Sequence, residues 1–327
     1  RGAFQVSLKR STIVMDDQRL RHSFEPVADG VIGTITLPAF YDNGGSISAE
    51  RDLRDALRDL RSHGPIKGLV LDMRRNSGGF LNQAVKVAGL FLTGGVIVIS
   101  QYADGEVSYA RDIDGRRYYN GPLVILTSKA SASAAEIVAQ ALQDHGVAVV
   151  AGDERTYGKG SMQYQTLTDP KAETFFKVTV GRYYTASGRS PQIKGVIADI
   201  HVPTAFAPYR IGERYLEYPL SGAALTEMLL APANKRLSHG QVVPYLTPRE
   251  TPCRKIIPIL SSNSETRLKQ SPNFAFYKKK LAGELPPKPK QLTRKTAKTT
   301  NHGVVDLQMA EAVAIVKDML YLQTSSL

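Results

Sequence analysis

Residues 122–150 read Pro-Leu-Val-Ile-Leu-Thr-Ser-Lys-Ala-Ser-Ala-Ser-Ala-Ala-Glu-Ile-Val-Ala-Gln-Ala-Leu-Gln-Asp-His-Gly-Val-Ala-Val-Val. The stretch opens with Pro122 to Thr127, a short apolar run without alternation, as expected of a strand covered on both faces. Small residues follow, then Ala134 to Asp144 reads as a helix and Val147 to Val150 as a second strand. Strand, helix and strand at this spacing imply an α/β layer structure with parallel pairing.

Working outward, the same rhythm precedes this unit. Gly30 to Pro38 alternates like a strand and stops at proline. Ser48 to Leu60 reads as an amphipathic helix, with Ser48 as N-cap and Leu53, Ala56, Leu57 and Leu60 at helical spacing. Gly64-Pro65 breaks it, and Lys67-Gly-Leu-Val-Leu-Asp72 is another buried strand. Asn76-Ser-Gly-Gly79 is a turn, and Asn82 to Leu92 a helix. Antiparallel signals appear twice. Ile97 to Tyr119 reads as a hairpin with turns at Asp104-Gly105 and Asp114-Gly115. Phe175 to Tyr184 reads as a strand entering a turn at Ala186 to Arg189. Beyond Pro203, prolines punctuate the chain, with helices expected at Gly222 to Leu230, Ser264 to Leu281 and Val305 to Leu322.

With 327 residues, 42% hydrophobic and 22% charged, the chain can bury a core and is not a wholly disordered protein. Its single cysteine, Cys253, excludes an intramolecular disulfide framework and a zinc cluster of several thiolates. No apolar run approaches the roughly 18 residues of a membrane span. The net charge of +12 is uneven, with eight basic residues and one acid, Glu284, between Lys278 and Lys298. Three prolines fall within 285–290 and no aromatic lies between Leu281 and Thr300 to stack on bases. The segment therefore reads as a solvated linker rather than a nucleic-acid site. Residues 1–8 carry neither Met nor a signal-peptide pattern and read as the end of a strand, as in a fragment whose upstream part is missing.

Three segments could carry chemistry. In Thr127 to Ile137, Ser131 and Ser133 stand where a buried strand hands over to a helix. The first N–H groups of that helix lack internal partners, which suits either an N-cap or an acyl-transfer nucleophile beside an oxyanion hole. In Asp72-Met-Arg-Arg-Asn-Ser-Gly-Gly79, two glycines let the backbone approach a ligand closely, or simply serve a turn. In Gly152 to Gln163, Lys159 lies between Gly158 and Gly160. A phosphate loop fails there, because five residues separate Gly152 from Gly158 and a glycine follows the lysine. The six histidines sit in no distinctive motif and no two fall within five positions. A serine nucleophile here would need another proton acceptor, and a desolvated lysine can serve.

Taken together and in order, these segments resemble the carboxyl-terminal processing, or tail-specific, proteases. The resemblance rests on Asp72 to Gly79, Ser131-Ala-Ser-Ala-Ala-Glu-Ile137, Thr156-Tyr-Gly-Lys-Gly160 with Gln163, and Lys194-Gly-Val-Ile-Ala-Asp199. Ile256 to Tyr277 and Asp306 to Glu311 are similar to the C-terminal extension of the long periplasmic branch, in wording close to its chlamydial members. The chain departs from the family pattern at Ala135, at Met73 and in a Ser-to-Lys interval one residue longer near Asp153 to Arg155.

The resemblance implies a crotonase/ClpP-like layered β-β-α protease core at 31–204. A mainly helical extension would fill 205–327, with a basic linker at about 282–302, and 1–30 would be a strand segment following a missing PDZ domain. It implies a serine endopeptidase with Ser133 as nucleophile, Lys159 as general base and Gln163 orienting that lysine. The N–H groups of Ala134 and Gly79 would form the oxyanion hole. No metal or other cofactor is implied. Substrates would be polypeptides with accessible C-termini, in the periplasm, with no nucleic-acid partner and no membrane span. The oligomeric state stays open, a homodimer being one option. The alternative is a non-catalytic or latent binding scaffold on the same fold.

Overall fold

The computed structural model describes residues 18–113, 115–167, 175–222, 225, 252–284 and 306–324. A six-stranded sheet forms the centre: β1 (Arg21–Val27), β2 (Gly30–Thr36), β3 (Ile66–Asp72), β6 (Leu123–Thr127), β7 (Val149–Gly152) and β10 (Ile200–His201), in that spatial order. β1 pairs antiparallel with β2, and every other pair is parallel. A second, antiparallel sheet has the order β5 (Val107–Asp112), β4 (Gly95–Tyr102), β9 (Phe175–Tyr184), β8 (Ser161–Leu167).

The apolar strands run without alternation because both faces of the large sheet are buried. Leu69, Leu71 and Ile125 pack on one face against α1 (Ala49–Ser62), α2 (Leu81–Gly89) and α3 (Ala134–Asp144). Val70, Val124 and Leu126, one residue out of phase, pack on the other. That second face is covered by α4 (Pro252–Gln270), α5 (Pro272–Leu281) and α6 (Leu307–Thr324), through Leu260, Phe274, Ile315 and Val316. The C-terminal helices are thus a layer of the core. Gly68 permits a close approach of this layer: a Cβ there would lie 2.1 Å from Val316 Cγ1. Asp306, whose carboxylate accepts the Met309 N–H at 3.0 Å, also accepts the Arg74 guanidinium at 2.8 and 2.6 Å. The start of α6 is thereby tied to the end of β3, where Arg74 also binds Asp72 at 2.7 Å.

α1 starts one residue after Ser48, whose side chain accepts from Arg51 N as expected of an N-cap. α3 spans the expected residues. α2 ends at Gly89 rather than Leu92, and the hairpin's second strand ends at Asp112. Tyr119 instead turns inward, 5% exposed, with its hydroxyl on Pro122 O at 2.8 Å. The helix expected at Ser264 to Leu281 is two helices. α4 begins at Pro252, and Ser271, accepting Phe274 N at 3.2 Å with Pro272 behind it, starts α5 afresh. The reading missed β1, whose residues are largely exposed, and β8, whose sequence is mostly polar. Residues 1–17, Asp114 and most of 222–230 and 285–305 lie outside the described residues, with the strand end, turn, helix and linker expected there. Among the described residues no helix is long and apolar enough to cross a membrane.

Candidate active site

Ser133 is the N-cap of α3, yet its backbone lies at φ 55 and ψ −116. A residue with a side chain is strained there, and such strain persists only where the surroundings enforce it. The enforcement comes from the turn leaving β6. Ser131 is fully buried, donates to Met73 O at 2.8 Å and accepts Ser128 N at 2.9 Å. Ala132 N donates to Asn76 O at 3.0 Å. Ser131 is therefore spent on holding the turn, while Ser133 stays partly exposed at its crest. Below it, α3 is buried nearly all round, which its small residues Ala134, Ala135, Ala139 and Ala141 permit.

The turn after β3 passes beside this crest. Asn76, fully buried, donates to Leu37 O at 3.0 Å and accepts Gly78 N at 2.8 Å. Gly78 has φ 114, and a Cβ on it would lie 2.9 Å from Ser133 Cβ and 3.3 Å from Ala134 N. Only glycine fits so near the serine. Gly79, at φ 144, bridges to Phe40, which donates to Gly78 O and accepts from Phe80 N. In such a parallel bridge the middle residue's own N–H faces away from the partner. The Gly79 N–H therefore faces away from Phe40, in a residue exposed to solvent. Ala134, at the first position of α3, has no residue one turn earlier in the helix to receive its N–H.

Lys159 sits in a loop whose backbone is fully committed. Thr156 N donates to Val196 O and Tyr157 N to Ser131 O. Gly158 N and Lys159 N donate to Glu136 at 2.6 and 2.8 Å, and Gly160 N donates to Gln192 Oε1 at 2.7 Å. Five consecutive N–H groups are thus taken by protein acceptors, and none is left to cradle a phosphate. Glu136 also accepts Ser133 N at 2.9 Å and Thr156 Oγ1 at 2.5 Å. Burial pushes its carboxyl up to about 7, against the hydrogen bonds that favour the charged form. Tyr183 adds a second link, its single hydroxyl proton shared between Ser133 O, at 3.1 Å, and Lys159 O.

The Lys159 side chain is half-buried, and desolvation lowers its pKa below the ordinary value, helped by Lys177 and opposed by Glu213 and Glu136. Its ammonium donates to Ser161 O at 3.0 Å and reaches Ser161 Oγ at 3.5 Å, so its hydrogen bonds go to Ser161 and not to Ser133. Gln163 is exposed on β8 and lines the same cleft as Lys159. That cleft, about 610 Å³, also takes in Ala132, Ile211, Glu213, Leu216 and Leu220.

Glu136, Tyr183, Gln192 and Glu213 were not singled out from the sequence. Glu136 stands three residues after Ser133, the spacing of a capping box, and that signal was available. Nothing local distinguishes the others.

Residues 31–202 match peptidase family S41, and the chain belongs to that family. Among curated relatives, it is 32% identical over 214 residues to the tail-specific protease of Haemophilus influenzae, covering 64% of this chain and 30% of that protein. It is 38% identical over 178 residues to the carboxy-terminal-processing protease of Bartonella bacilliformis, covering 53% of this chain and 39% of that one. The chain thus spans only 30% to 39% of the length of these two relatives. A solved photosystem II D1 C-terminal processing protease aligns at TM-score 0.48 and 29% identity, over 56% of this chain and 48% of that one.

Proposed function

We propose that the chain is the protease core of a serine endopeptidase working through Ser133 and Lys159. One observation carries the reading: a serine strained to φ 55 at a helix N-terminus and a desolvated lysine share one buried carboxylate, Glu136. Neutral Lys159 accepts the Ser133 proton as Oγ attacks a peptide carbonyl. The Gly79 and Ala134 N–H groups hold the oxyanion as it forms. The tetrahedral adduct collapses, the peptide C–N bond breaks, and the Lys159 ammonium gives its proton to the leaving amine. Water then attacks the acyl-enzyme as Lys159 takes its proton, the ester bond to Ser133 Oγ breaks, and Lys159 returns the proton to that oxygen. Before the first step, the Lys159 side chain must turn from Ser161 to Ser133, and Gln163, which lines the same cleft, orients it.

By the family resemblance, the substrates are unfolded or tagged polypeptides with accessible C-termini, and the compartment is the periplasm. The bond from Lys159 to Ser161 supports a second reading, a latent state of the same site that binds without cleaving. Hydrolysis of fluorescein-labelled casein by wild type, Ser133→Ala and Lys159→Ala decides between them. Cleavage by wild type alone is expected. Cleavage that survives Ser133→Ala contradicts the dyad, and cleavage by none supports the latent state.

A further inference from the structure

Gln192 is 1% exposed, and its one amide holds three separate pieces of the molecule. Its Oε1 accepts Gly160 N at 2.7 Å, on the peptide that follows Lys159. Its Nε2 donates to Leu220 O at 2.9 Å and to Glu213 Oε1 at 3.3 Å. Leu220 and Glu213 both line the cleft that contains Lys159. The same wall is stitched to the lysine loop by Glu213 N, which donates to Tyr157 O at 2.9 Å. Gly212, at φ 147, allows this approach, since a Cβ on it would lie 3.0 Å from Tyr157 O.

The segment that carries Gln192 is itself under strain. Ile193, a β-branched residue, lies at φ 69, and its N–H donates to Gly158 O at 2.8 Å. A β-branched side chain in that region is held only by its surroundings. Arg214, next to Glu213, is occupied elsewhere, with its guanidinium on Ile193 O at 2.8 Å. Glu213 itself is only 8% exposed, so its carboxylate acts through little water.

We propose that Glu213, held in place by Gln192, is a positioning residue that sets the protonation of Lys159. Gln192 at the same time fixes the cleft wall in register with the Lys159–Gly160 peptide. The inference rests on Lys159 acting as the base. Among the described residues, the charged and titratable groups around Lys159 are Glu213 and Tyr218 from the cleft wall, Glu136 from α3, Lys177 and Tyr183 from β9, and Tyr157 from its own loop. Glu136 spends both carboxylate oxygens on the Ser133, Thr156, Gly158 and Lys159 donors. Glu213 is therefore the carboxylate in the cleft best able to favour the ammonium, as Lys177 opposes it. The consequence is a site in which the Glu213 carboxylate, sharing the cleft with Lys159, favours the ammonium against the desolvation that favours the amine.

The test is the rate of serine acylation by a fluorophosphonate, measured against pH and read by mass spectrometry, which needs no captured polypeptide. Wild type, Glu213→Gln, Glu213→Asp, Gln192→Asn and Ser133→Ala are compared, with the melting temperature of each. Removing the carboxylate makes the neutral amine available at lower pH, so Glu213→Gln shifts the acid-limb midpoint downward. Glu213→Asp, keeping the charge, stays closer to wild type. Gln192→Asn, one methylene short of Gly160, lowers the plateau rate about tenfold. An unmoved midpoint in Glu213→Gln, with Ser133→Ala unlabelled, overturns the inference and leaves the dyad standing. Labelling that persists in Ser133→Ala overturns both.

Discussion

Glu136 and Lys159 meet through a 2.8 Å hydrogen bond, and the carboxylate oxygen that accepts the lysine's N–H also accepts that of Ser133, at 2.9 Å. The proposed nucleophile and base, on two different elements, are therefore positioned by one atom. Among the described residues no salt bridge reaches this carboxylate. Four hydrogen bonds offset its burial.

That arrangement predicts a pH dependence. Burial raises the Glu136 carboxyl from 4.5 to about 7 in the folded chain. A raised acid contributes stability that is fully present below about 4.5 and is lost as pH rises through about 7. Denaturant unfolding of wild type and Glu136→Gln, compared from pH 4.5 to 8, should show wild type losing ground by on the order of 3 kcal/mol. The window lies between the two pKa values, and a difference independent of pH contradicts the assignment.

Gly78 makes a second test. A Cβ at φ 114, 2.9 Å from Ser133 Cβ, must displace the serine or the turn. Gly78→Ala should cost about 1–3 kcal/mol of stability and remove most serine acylation. Melting temperature and fluorophosphonate labelling read the two effects separately.

Tyr183 is 2% exposed, and its hydroxyl serves both Ser133 O and Lys159 O. Tyr183→Phe keeps the ring and removes the donor. The expected cost is about 1–3 kcal/mol, with acylation reduced because crest and loop lose a shared tether. A variant with wild-type stability and acylation would show that this link is idle.

The C-terminal layer can be tested away from the site. Ile315 on α6 is fully buried against the large sheet, and Ile315→Ala should cost about 2–5 kcal/mol in denaturant unfolding. Gly68→Val, which forces a side chain into Val316, should be worse than its loss of glycine freedom alone explains. If both variants unfold as wild type does, the helices are not part of the core.

The large sheet was legible because burial on both faces leaves an uninterrupted apolar mark, as in Leu69 to Leu71 and Leu123 to Leu126. The crest at Ser133 was legible through small residues between such a strand and a helix, but the choice between Ser131 and Ser133 needed the family resemblance. The structure adds the reason Ser131 is occupied: its hydroxyl bonds to Met73 O. The role of the C-terminal helices was not legible, since the face they cover is defined only by strands far away in sequence. The same holds for Gln192, whose partners Gly160, Glu213 and Leu220 come together through tertiary packing alone. α5 was misjudged because the Ser271-Pro272 start signal lay inside a longer helical pattern.

The most direct test of the central claim is to map a fluorophosphonate adduct by peptide mass spectrometry in wild type and in Lys159→Met. A base and nucleophile held by Glu136 predict a single adduct on Ser133 in wild type and almost none in the variant. An adduct on Ser131, or equal labelling of Ser133 without the lysine amine, would contradict it.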